Sequence, residues 1–463
     1  MKKYFSSFLQ LIAQERALFF FVLSIKILFL IGFLVLFGAS RLEWADSQTY
    51  NELGINVFRG LGYGHMQIDS LRLVPDLQFP PLYPIILAFF HLYFPHGFVV
   101  LSIVQAIIAA FSTVLIYRIG KEIMTNDAAV ATALLFSFEP LTALTHILMM
   151  PETFFVFLLL VSIYFFIKLI DSYSAREVFI SAGSLGVALY VKPVALYLAV
   201  LFVLLLATRH LWGAAILYAV LVGVLLCPWV LRNGYMGGSY VFSTHSTNAV
   251  CGYFVFSVFA TEYHTDPSNM DAALLPSSFK STLTECHGIL SGVMITAFRY
   301  PISFIKTIVL SSVAFLSNEG YAIFFQDQLN TIKRHNNYLT PTVFVMHDWQ
   351  SKIVGAISAI NPLQLIIILL GKLFWACIIA LSFVGGLDLL RRRKITHGAV
   401  FLVVIVYFIA AAVLGVGYAA GARLRIPIHP FLFILAGCGI ASLRSESRYV
   451  WQRGNVSLKA LKH

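Results

Sequence analysis

The sequence contains eight separate stretches of about 20 mostly apolar residues, the length that a helix needs to cross the hydrocarbon core of a bilayer. The whole chain is 59% hydrophobic and only 11% charged, whereas soluble domains carry about 25% charged residues. These features exclude a soluble globular protein and predict an all-α, polytopic membrane protein. The predicted spans are 17–38, 98–117, 128–146, 153–170, 211–230, 364–388, 398–416 and 427–443.

Three further apolar stretches need separate interpretation. Residues 177–208 are interrupted at Lys192-Pro193 and are counted as two short spans, because proline removes a backbone donor and bends or ends a helix. Residues 82–94 are short and bracketed by prolines, and residues 302–316 would reverse the sidedness of the basic residues if they crossed. We interpret both as interfacial or re-entrant, which leaves about ten crossings, with a range of roughly 9 to 12.

Basic residues mark one face of the predicted bundle. Loops on the cytoplasmic side are enriched in Lys and Arg, so we assign the short basic runs and both termini to that side. Met1-Lys2-Lys3 before an apolar run resembles a signal peptide, but the run at 17–38 is longer than the roughly 7–15 residues of a signal sequence, and we read it as a retained first helix. The cytoplasmic markers are Arg16, Arg118 with Lys121, Arg176, Arg209, residues 391–394 and the basic C-terminal tail.

The opposite face, called the outer face below, receives the longest polar segments. The first outer loop (39–97) is expected to carry short juxtamembrane helices, the last one anchored by prolines, and the segment 232–362 is expected to be partly helical and interfacial. We see no soluble domain and no internal repeat, so residues 1–463 are treated as a single integral-membrane domain, which is the catalytic domain if the protein is an enzyme. The net charge of +11 follows from the cytoplasmic loops and their attraction to anionic membrane lipid, and it implies no nucleic-acid partner.

Two carboxylates on the predicted outer face are candidates for chemistry. Asp46 opens the first outer loop, and Glu152 lies in the turn before the fourth predicted span. Each has a purely structural explanation: Asp46 as a solvated acid at the end of a helix, and Glu152 as an acid favourably placed at the start of the next helix. A carboxylate over the bilayer is costly unless it is solvated or paired, and the shared face favours a functional pair. Glu43 is treated as a bystander, and Glu139 lies deeper, with no partner that the sequence identifies.

Four cationic residues are predicted to lie on the same outer face: Lys192, Arg232, Arg423 and Arg425. Lys and Arg at helix ends commonly extend to the interface without a specific partner, which is the structural explanation for each. Outer loops should be poor in such residues, however, and arginine suits bidentate binding of phosphate. We therefore predict that these four residues bind an anionic phosphate group.

The order of these features resembles the GT-C superfamily of polytopic membrane glycosyltransferases. The pattern is most similar to the branch that holds the protein O-mannosyltransferases and the aminoarabinose transferase of lipid A, and it extends over about residues 17–445. Each motif alone is weak, and their order and sidedness carry the resemblance. The motifs are the first-loop acid, PPLYP (80–84), the second-loop acid, PWxxRN (228–233) and RxRxPxxP (423–430).

The resemblance implies a donor in which a sugar is carried on a polyprenyl phosphate and is used on the non-cytoplasmic face. It implies that Asp46 is the base or acceptor-orienting group, Glu152 a second carboxylate and Arg232 a phosphate-binding cation. Two departures leave the sugar and the acceptor open. Gln78-Phe79 stands where aminoarabinose-type enzymes carry Glu-Lys, and the first loop lacks the adjacent acid pair that helps bind metal in the oligosaccharyltransferase branch. A bound divalent metal is therefore disfavoured, and no cofactor is expected.

Histidines and cysteines in the segment 232–362 are further polar candidates. His245, His264 and His287 have the right chemistry for zinc, but their spacing matches no zinc pattern, and we favour solvated loop histidines. Cys251 and Cys286 share the segment, so a disulfide between them is an open alternative to free thiols.

The residues are consistent with glycosyl transfer on chemical grounds as well. The reaction needs a carboxylate to take the acceptor proton and fixed cations to stabilise the departing phosphate. We expect a hexosyl- or pentosyltransferase that moves a sugar from a polyprenyl-phosphate donor to a lipid, glycan or protein of the envelope. Its expected location is a bacterial inner membrane, with the active site facing the periplasm.

The alternative is a membrane transporter or lipid flippase. It should show paired ionisable residues near the bilayer midplane and related halves, and the sequence shows no matching halves. A non-catalytic scaffold in polysaccharide assembly is a third hypothesis without specific support.

Overall fold

Helices make up almost all of the structure, a computed structural model that describes residues 14–67, 72–266, 276–321, 339–392 and 395–443. The predicted cytoplasmic markers Arg393, Lys394 and the C-terminal tail lie outside these residues. Over these residues the predicted all-α fold class is confirmed, with one exception. The exception is a two-stranded antiparallel hairpin in the first outer loop, which pairs Gly64 with Pro75.

The N-terminal part of the chain contains the first outer loop and the helices that flank it. In chain order its elements are α1 (Glu15–Phe37), a 3₁₀ turn (Ala39–Leu42), α2 (Ser47–Phe58), β1 (Gly64–Gln67), β2 (Arg72–Pro75), α3 (Leu82–Tyr93), α4 (Gly97–Lys121), α5 (Asn126–Phe138) and α6 (Pro140–Thr145).

The middle part begins with long apolar helices and continues into shorter ones. Its elements are α7 (Glu152–Asp171), α8 (Ala175–Val191), a 3₁₀ turn (Pro193–Ala195), α9 (Leu196–Thr208), α10 (Trp212–Gly237), α11 (His245–Ala249), a π-helical turn (Val250–Phe254), α12 (Val255–Tyr263), α13 (Ser277–Thr284), α14 (Ile289–Arg299) and α15 (Pro301–Ser317).

The C-terminal part returns to long apolar helices. Its elements are a 3₁₀ turn (Pro341–Val345), α16 (Trp349–Ala359), α17 (Pro362–Arg391), α18 (Ile395–Val416), a 3₁₀ turn (Gly417–Ala419), α19 (Ala422–Arg425), a 3₁₀ turn (Ile426–Ile428) and α20 (429–443).

Seven of the described helical segments are long and apolar enough to cross a membrane. An eighth is present if α14 and α15, which meet at a bend of 119°, form one span. The chain is therefore a multi-pass membrane protein. The predicted count of about ten also includes the span 128–146 and the two short spans in 177–208, which the structure forms as the shorter helices α5 with α6, α8 and α9.

The predicted span 128–146 is divided into two short helices at Glu139 and Pro140. The Glu139 carboxylate accepts hydrogen bonds from the backbone N–H groups of Leu141 (3.2 Å) and Thr142 (2.7 Å). It thereby caps the N-terminus of α6, and Pro140 takes the first helical position, where its missing N–H is not needed. The local capping chemistry explains why one apolar run forms two helices.

The first outer loop is given a fixed shape by close packing of α2 on α3. A Cβ atom at Gly54 would overlap the carbonyl of Pro84 and the side chain of Ala88, so only glycine permits this approach. The ring of Tyr50 on α2 also packs edge-on against the ring of Tyr83 on α3, with centroids 5.4 Å apart. This packing fixes the position of α2 and of Asp46, which immediately precedes it.

A disulfide joins Cys251 to Cys286, with their Cα atoms 5.8 Å apart. The structure therefore decides between the two alternatives that the sequence left open. The bridge connects the π-helical turn to the residues just before α14. It ties together two parts of the outer segment that both contribute to the cavity described below.

Candidate active site

Asp46 stands at the entry to α2, but its side chain is not used to cap that helix. Within the described residues its carboxylate makes no capping hydrogen bond, and 46% of the side chain is exposed. The preceding residue, Ala45, has a positive φ of 49°, a left-handed conformation that is uncommon for residues other than glycine. The Asp46 side chain therefore does not serve as a hydrogen-bonding cap of α2.

Glu152, the first residue of α7, is almost completely buried and accepts bonds from two cations. Its Oε1 atom lies 2.8 Å from Nζ of Lys192 and 2.7 Å from Nε of Arg423. Lys192 has an extended backbone conformation and lies between α8 and the following 3₁₀ turn. This is the proline break that the sequence predicted. A buried carboxylate needs such compensation, because an unpaired charge inside the protein is strongly unfavourable.

Arg423 connects the two carboxylates. Its Nη1 atom lies 3.1 Å from Oδ2 of Asp46, while its Nε atom bonds Glu152. Asp46, Glu152, Lys192 and Arg423 form what we call the ionic cluster. Its two negative and two positive charges cancel, so the cluster is held together without excess charge.

The ionic cluster borders a cavity of about 450 Å³. One side is polar and includes Asp46, Lys192, Arg423 and His245, and the other is apolar and is formed largely by α18. Burial raises the pKa of Tyr50, another lining residue, well above its ordinary value, so its hydroxyl stays protonated. The apolar lining residues of α18 include Phe408, Ala411, Ala412, Leu414 and Val416.

Two buried polar atoms near the ionic cluster lack hydrogen-bond partners among the described residues: Oε2 of Glu152 and the hydroxyl of Tyr83. The charge of Glu152 acts on the Tyr83 hydroxyl, so the two groups are close enough to interact. Buried polar atoms are nearly always bonded to protein or ordered water. These two atoms therefore make the buried side of the ionic cluster polar.

Arg232 has a different environment from the one predicted. Its guanidinium donates to the backbone carbonyls of Tyr63 and Asp76, each at 2.5 Å, and lies 4.8 Å from the ring centroid of Trp229. It is not among the residues that line the cavity. Arg232 thus fastens the β-hairpin of the first outer loop to α10, and these contacts do not support its predicted binding of phosphate.

Arg425 is also engaged elsewhere and is completely buried. It donates to the carbonyls of Phe315 (2.9 Å), Leu316 and Asn318 (2.6 Å) at the C-terminal end of α15. Carbonyls at a helix C-terminus have no partner within the helix, and a cation there is favourable. Arg425 therefore stabilises the end of α15, and the structure does not bring it to the cavity.

Glu139, for which the sequence identified no partner, is buried beside two other polar side chains. Nδ1 of His429 is 3.8 Å from its Oε2 atom, and the hydroxyl of Tyr321 donates to its Oε1 atom over 3.4 Å. Since its carboxylate also caps α6, a structural role accounts for this residue.

His245 is the site residue that the sequence interpretation missed. It was assigned to the solvated loop histidines, but it is half-buried and lines the cavity beside the ionic cluster. Its Nδ1 atom lies 3.1 Å from Nε2 of Gln78, a residue 167 positions earlier in the chain. The Ser-Thr-His turn gives a local signal for a helix start, but no local signal for this distant contact.

The other two histidines lie apart from the cavity lining. Nδ1 of His264 is 2.9 Å from the carbonyl of Val345, and His287 is exposed. Over the described ranges, no group of three or more His, Cys, Asp or Glu residues is arranged to hold a metal ion. The expectation of a reaction without metal or cofactor stays a prediction.

One part of the chain is similar to a known protein family. Residues 78–231, about a third of the chain, match the family model described as "Dolichyl-phosphate-mannose-protein mannosyltransferase". The chain is similar to ArnT from Cupriavidus metallidurans, solved as a crystal structure bound to undecaprenyl phosphate. The sequence identity is 14%, the match covers 89% of this chain and 76% of that chain, and the TM-score is 0.36. No curated protein matches the sequence.

The family match includes Glu152 and Lys192 of the ionic cluster and the double proline that precedes α3, whereas Asp46 and Arg423 lie outside it. Over residues 78–231, this match confirms the resemblance to GT-C membrane glycosyltransferases that the sequence motifs indicate.

Proposed function

We propose that this protein transfers a sugar from a polyprenyl-phosphate donor to an envelope acceptor on the non-cytoplasmic face of the membrane. The observation that carries the proposal is the joint contact of Arg423 with Asp46 and Glu152 at the edge of one cavity. It puts a partly exposed carboxylate and two cations within reach of a single bound molecule. The family description, which names a sugar carried on dolichyl phosphate, supports this class of donor.

The shape of the cavity suits a donor with a charged head and an apolar tail. Lys192 and Arg423 offer positive charge and N–H donors to a phosphate, while the apolar residues of α18 extend from the same cavity. An isoprenoid chain loses no hydrogen bonds in such an environment, and burying it is favourable in proportion to its area. The two kinds of wall would thus orient the donor with its phosphate at the ionic cluster.

Asp46 is the proposed base. The acceptor hydroxyl would give its proton to the Asp46 carboxylate while its oxygen forms a bond to the anomeric carbon. The bond between that carbon and the phosphate oxygen breaks at the same centre, and the electron pair stays on the polyprenyl phosphate. Lys192 and Arg423 stabilise the negative charge that develops there, and Glu152 holds these two cations in place.

The disulfide supports the proposed sidedness. Disulfides form and persist in oxidising environments such as the bacterial periplasm and are rare in the cytosol. Cys251 and Cys286 belong to the segment that also supplies His245, Val250 and Ile289 to the cavity. An active site on the periplasmic face of an inner membrane, with both chain termini cytoplasmic, is therefore the topology that we propose.

The test is the activity of Asp46→Asn in liposomes that contain undecaprenyl-phosphate sugars and an envelope extract as the source of acceptor. We expect sugar transfer to fall at least about 100-fold, because loss of a general base typically costs a factor of 10²–10⁴. Membrane insertion and the thermal unfolding temperature should not change, since Asp46 is half-exposed. The matched control is Asp348→Asn, which changes an exposed helix-end aspartate on α16. Full activity of the Asp46 variant would contradict its assignment.

Transport is the second candidate function, and one observation favours it. Lys26 is buried within the long apolar helix α1, where its Nζ atom lies 2.7 Å from Nδ1 of His146 and 3.0 Å from the carbonyl of Ser137. Ionisable residues inside membrane spans often mark a substrate path. Movement of intact donor across the same liposomes, without transfer of its sugar, would favour this alternative.

A further inference from the structure

His245 is held in the cavity wall by contacts between two distant segments. The Ser243 hydroxyl donates to the Gln78 carbonyl over 2.6 Å and accepts the His245 backbone N–H over 3.1 Å. The Thr244 backbone N–H donates to the Leu77 carbonyl over 2.9 Å. The His245 ring also lies beside the Phe79 ring, with centroids 5.8 Å apart. These contacts fix the imidazole relative to the first outer loop, as a recognition residue requires.

The bond to Gln78 decides which ring nitrogen carries the proton. The Gln78 partner is the amide nitrogen Nε2, 3.1 Å from Nδ1 of His245, and an amide nitrogen only donates. Nδ1 must therefore accept, and in the neutral imidazole the hydrogen is on Nε2. None of the described residues forms a hydrogen bond with Nε2, so this donor remains available for a ligand in the cavity.

The surroundings keep the imidazole neutral. Burial lowers the pKa of His245, and the nearby positive charges of Lys192 and Arg423 lower it further. The carboxylates of Asp46 and Asp76 act in the opposite direction without reversing the effect. At neutral pH the residue is thus an uncharged hydrogen-bond donor.

We propose that His245 is a specificity-determining residue, whose Nε2–H donates a hydrogen bond to a hydroxyl group of the transferred sugar. This inference rests on the proposed function. The sugar is bonded directly to the phosphate, and the phosphate would lie at Lys192 and Arg423, which line the same cavity as His245. A hydroxyl oxygen can accept the bond, whereas an ammonium group has no lone pair to accept it. The site therefore favours a sugar with a hydroxyl, and not a charged amino group, at the recognised position.

The experiment combines a change in the protein with a change in the sugar. Donors are undecaprenyl-phosphate mannose, glucose and galactose, followed by monodeoxy and amino analogues of whichever sugar the wild-type protein transfers fastest. Release of undecaprenyl phosphate is measured in liposomes that contain an envelope extract as the source of acceptor. We expect one deoxy donor to react about tenfold more slowly with the wild type, as for loss of one hydrogen bond between neutral groups. His245→Ala should lose a similar factor with the parent donor and nothing further with that deoxy donor.

Independent, multiplicative losses from the two changes would overturn the inference. It would also be overturned if the wild type transferred every deoxy donor, or the amino analogue of the recognised hydroxyl, as fast as the parent sugar. Failure of the wild type to release undecaprenyl phosphate from any donor would instead contradict the proposed function. The outcomes with the deoxy, amino and parent donors are measured on the wild type, so they test the inference even where His245→Ala does not fold.

Conservative variants distinguish recognition from a structural role. His245→Gln places an amide N–H near the position of Nε2 and should recover most of the activity, whereas the shorter side chain of His245→Asn should not. The matched control is His287→Ala, which removes an exposed histidine from the same outer segment and should leave transfer unchanged. Equal activity of the Gln and Asn variants would count against a bond from Nε2.

Discussion

Arg423 and Glu152 are 271 residues apart in the chain, and their side chains meet through a bond of 2.7 Å from Nε to Oε1. The contact joins the short helix α19 to the first residue of α7. Because Arg423 also bonds Asp46, three separate segments converge on one guanidinium. The candidate site is therefore an assembly of distant segments, and its variants should separate residues that react from residues that hold the fold.

Arg423→Lys should lower sugar transfer about 100-fold or more. A lysine has one compact ammonium group and cannot reproduce the planar set of donors with which Arg423 contacts two carboxylates. Loss of one preorganised donor to a developing charge typically costs a factor of 10²–10³. The measurement is the initial rate in liposomes, with Arg299→Lys as the control, since Arg299 forms an exposed pair with Glu285. A wild-type rate for the Arg423 variant would show that the reaction does not need one guanidinium that contacts both carboxylates.

Glu152→Gln and Asp46→Asn should differ in stability, although both should lower activity. Glu152 is 1% exposed and compensates two cations, and breaking a buried pair costs roughly 3–5 kcal/mol. Asp46 is 46% exposed, so its replacement should leave the thermal unfolding temperature almost unchanged. Thermal unfolding of both variants in the same detergent provides the comparison. Equal unfolding temperatures would contradict the structural role given to Glu152.

Arg425→Met should lower stability without a specific effect on the reaction. The substitution leaves three carbonyls at the end of α15 without their partner, and each unsatisfied buried group costs about 1–3 kcal/mol. The expected result is a lower unfolding temperature, with activity per folded molecule close to that of the wild type. Loss of activity in a variant that unfolds like the wild type would return Arg425 to the site.

Cys251 and Cys286 should resist alkylation by maleimide until a reductant is added, since they form a disulfide. Reduction should lower the stability of the outer segment, because the bridge closes a loop across a sequence separation of 35, for which the chain-entropy model gives about 4 kcal/mol. Mass spectrometry of alkylated protein checks the first point, and limited proteolysis with and without reductant checks the second. A Cys251→Ser, Cys286→Ser double variant supplies the reference.

Acidification should reduce the stability of the wild-type protein partly through His245. Its pKa is held below the ordinary value of 6.5 in the folded state, so the unfolded state binds more protons as the pH falls below that value. Stability is therefore fully present above about pH 6.5 and declines as the pH falls from there toward the folded-state pKa. Unfolding temperatures of the wild type and His245→Gln between pH 7.5 and about 5 test this sign. A steeper decline in the variant would contradict it.

The grouping of the four residues of the ionic cluster could be predicted from the sequence, whereas the membrane face on which they lie stays a prediction. The Lys and Arg bias assigned Asp46, Glu152, Lys192 and Arg423 to one face, and the structure brings these four side chains together. The proline after Lys192 also located the helix break from which that lysine reaches Glu152. These inferences depend on local patterns, namely hydropathy, charge and proline geometry.

The direction of individual side chains could not be predicted in the same way. Arg423 and Arg425 both lie in α19, but residues that are two positions apart in a helix point in directions that differ by about 200° around its axis. One therefore faces the cavity and the other faces α15. Similarly, the contact of His245 with Gln78 spans 167 positions, and no local pattern in either segment specifies it.

The disulfide also bears on how the protein is made. In the proposed topology, Cys251 and Cys286 both belong to the segment on the non-cytoplasmic side, and their disulfide requires both of them to be there. In that topology they can pair before α17 to α20, and with them Arg423 and the apolar wall of the cavity, have been synthesised. With that topology, recombinant production calls for a host that oxidises exported thiols, and cell-free synthesis in a reducing mixture would deliver a chain without the Cys251–Cys286 bridge.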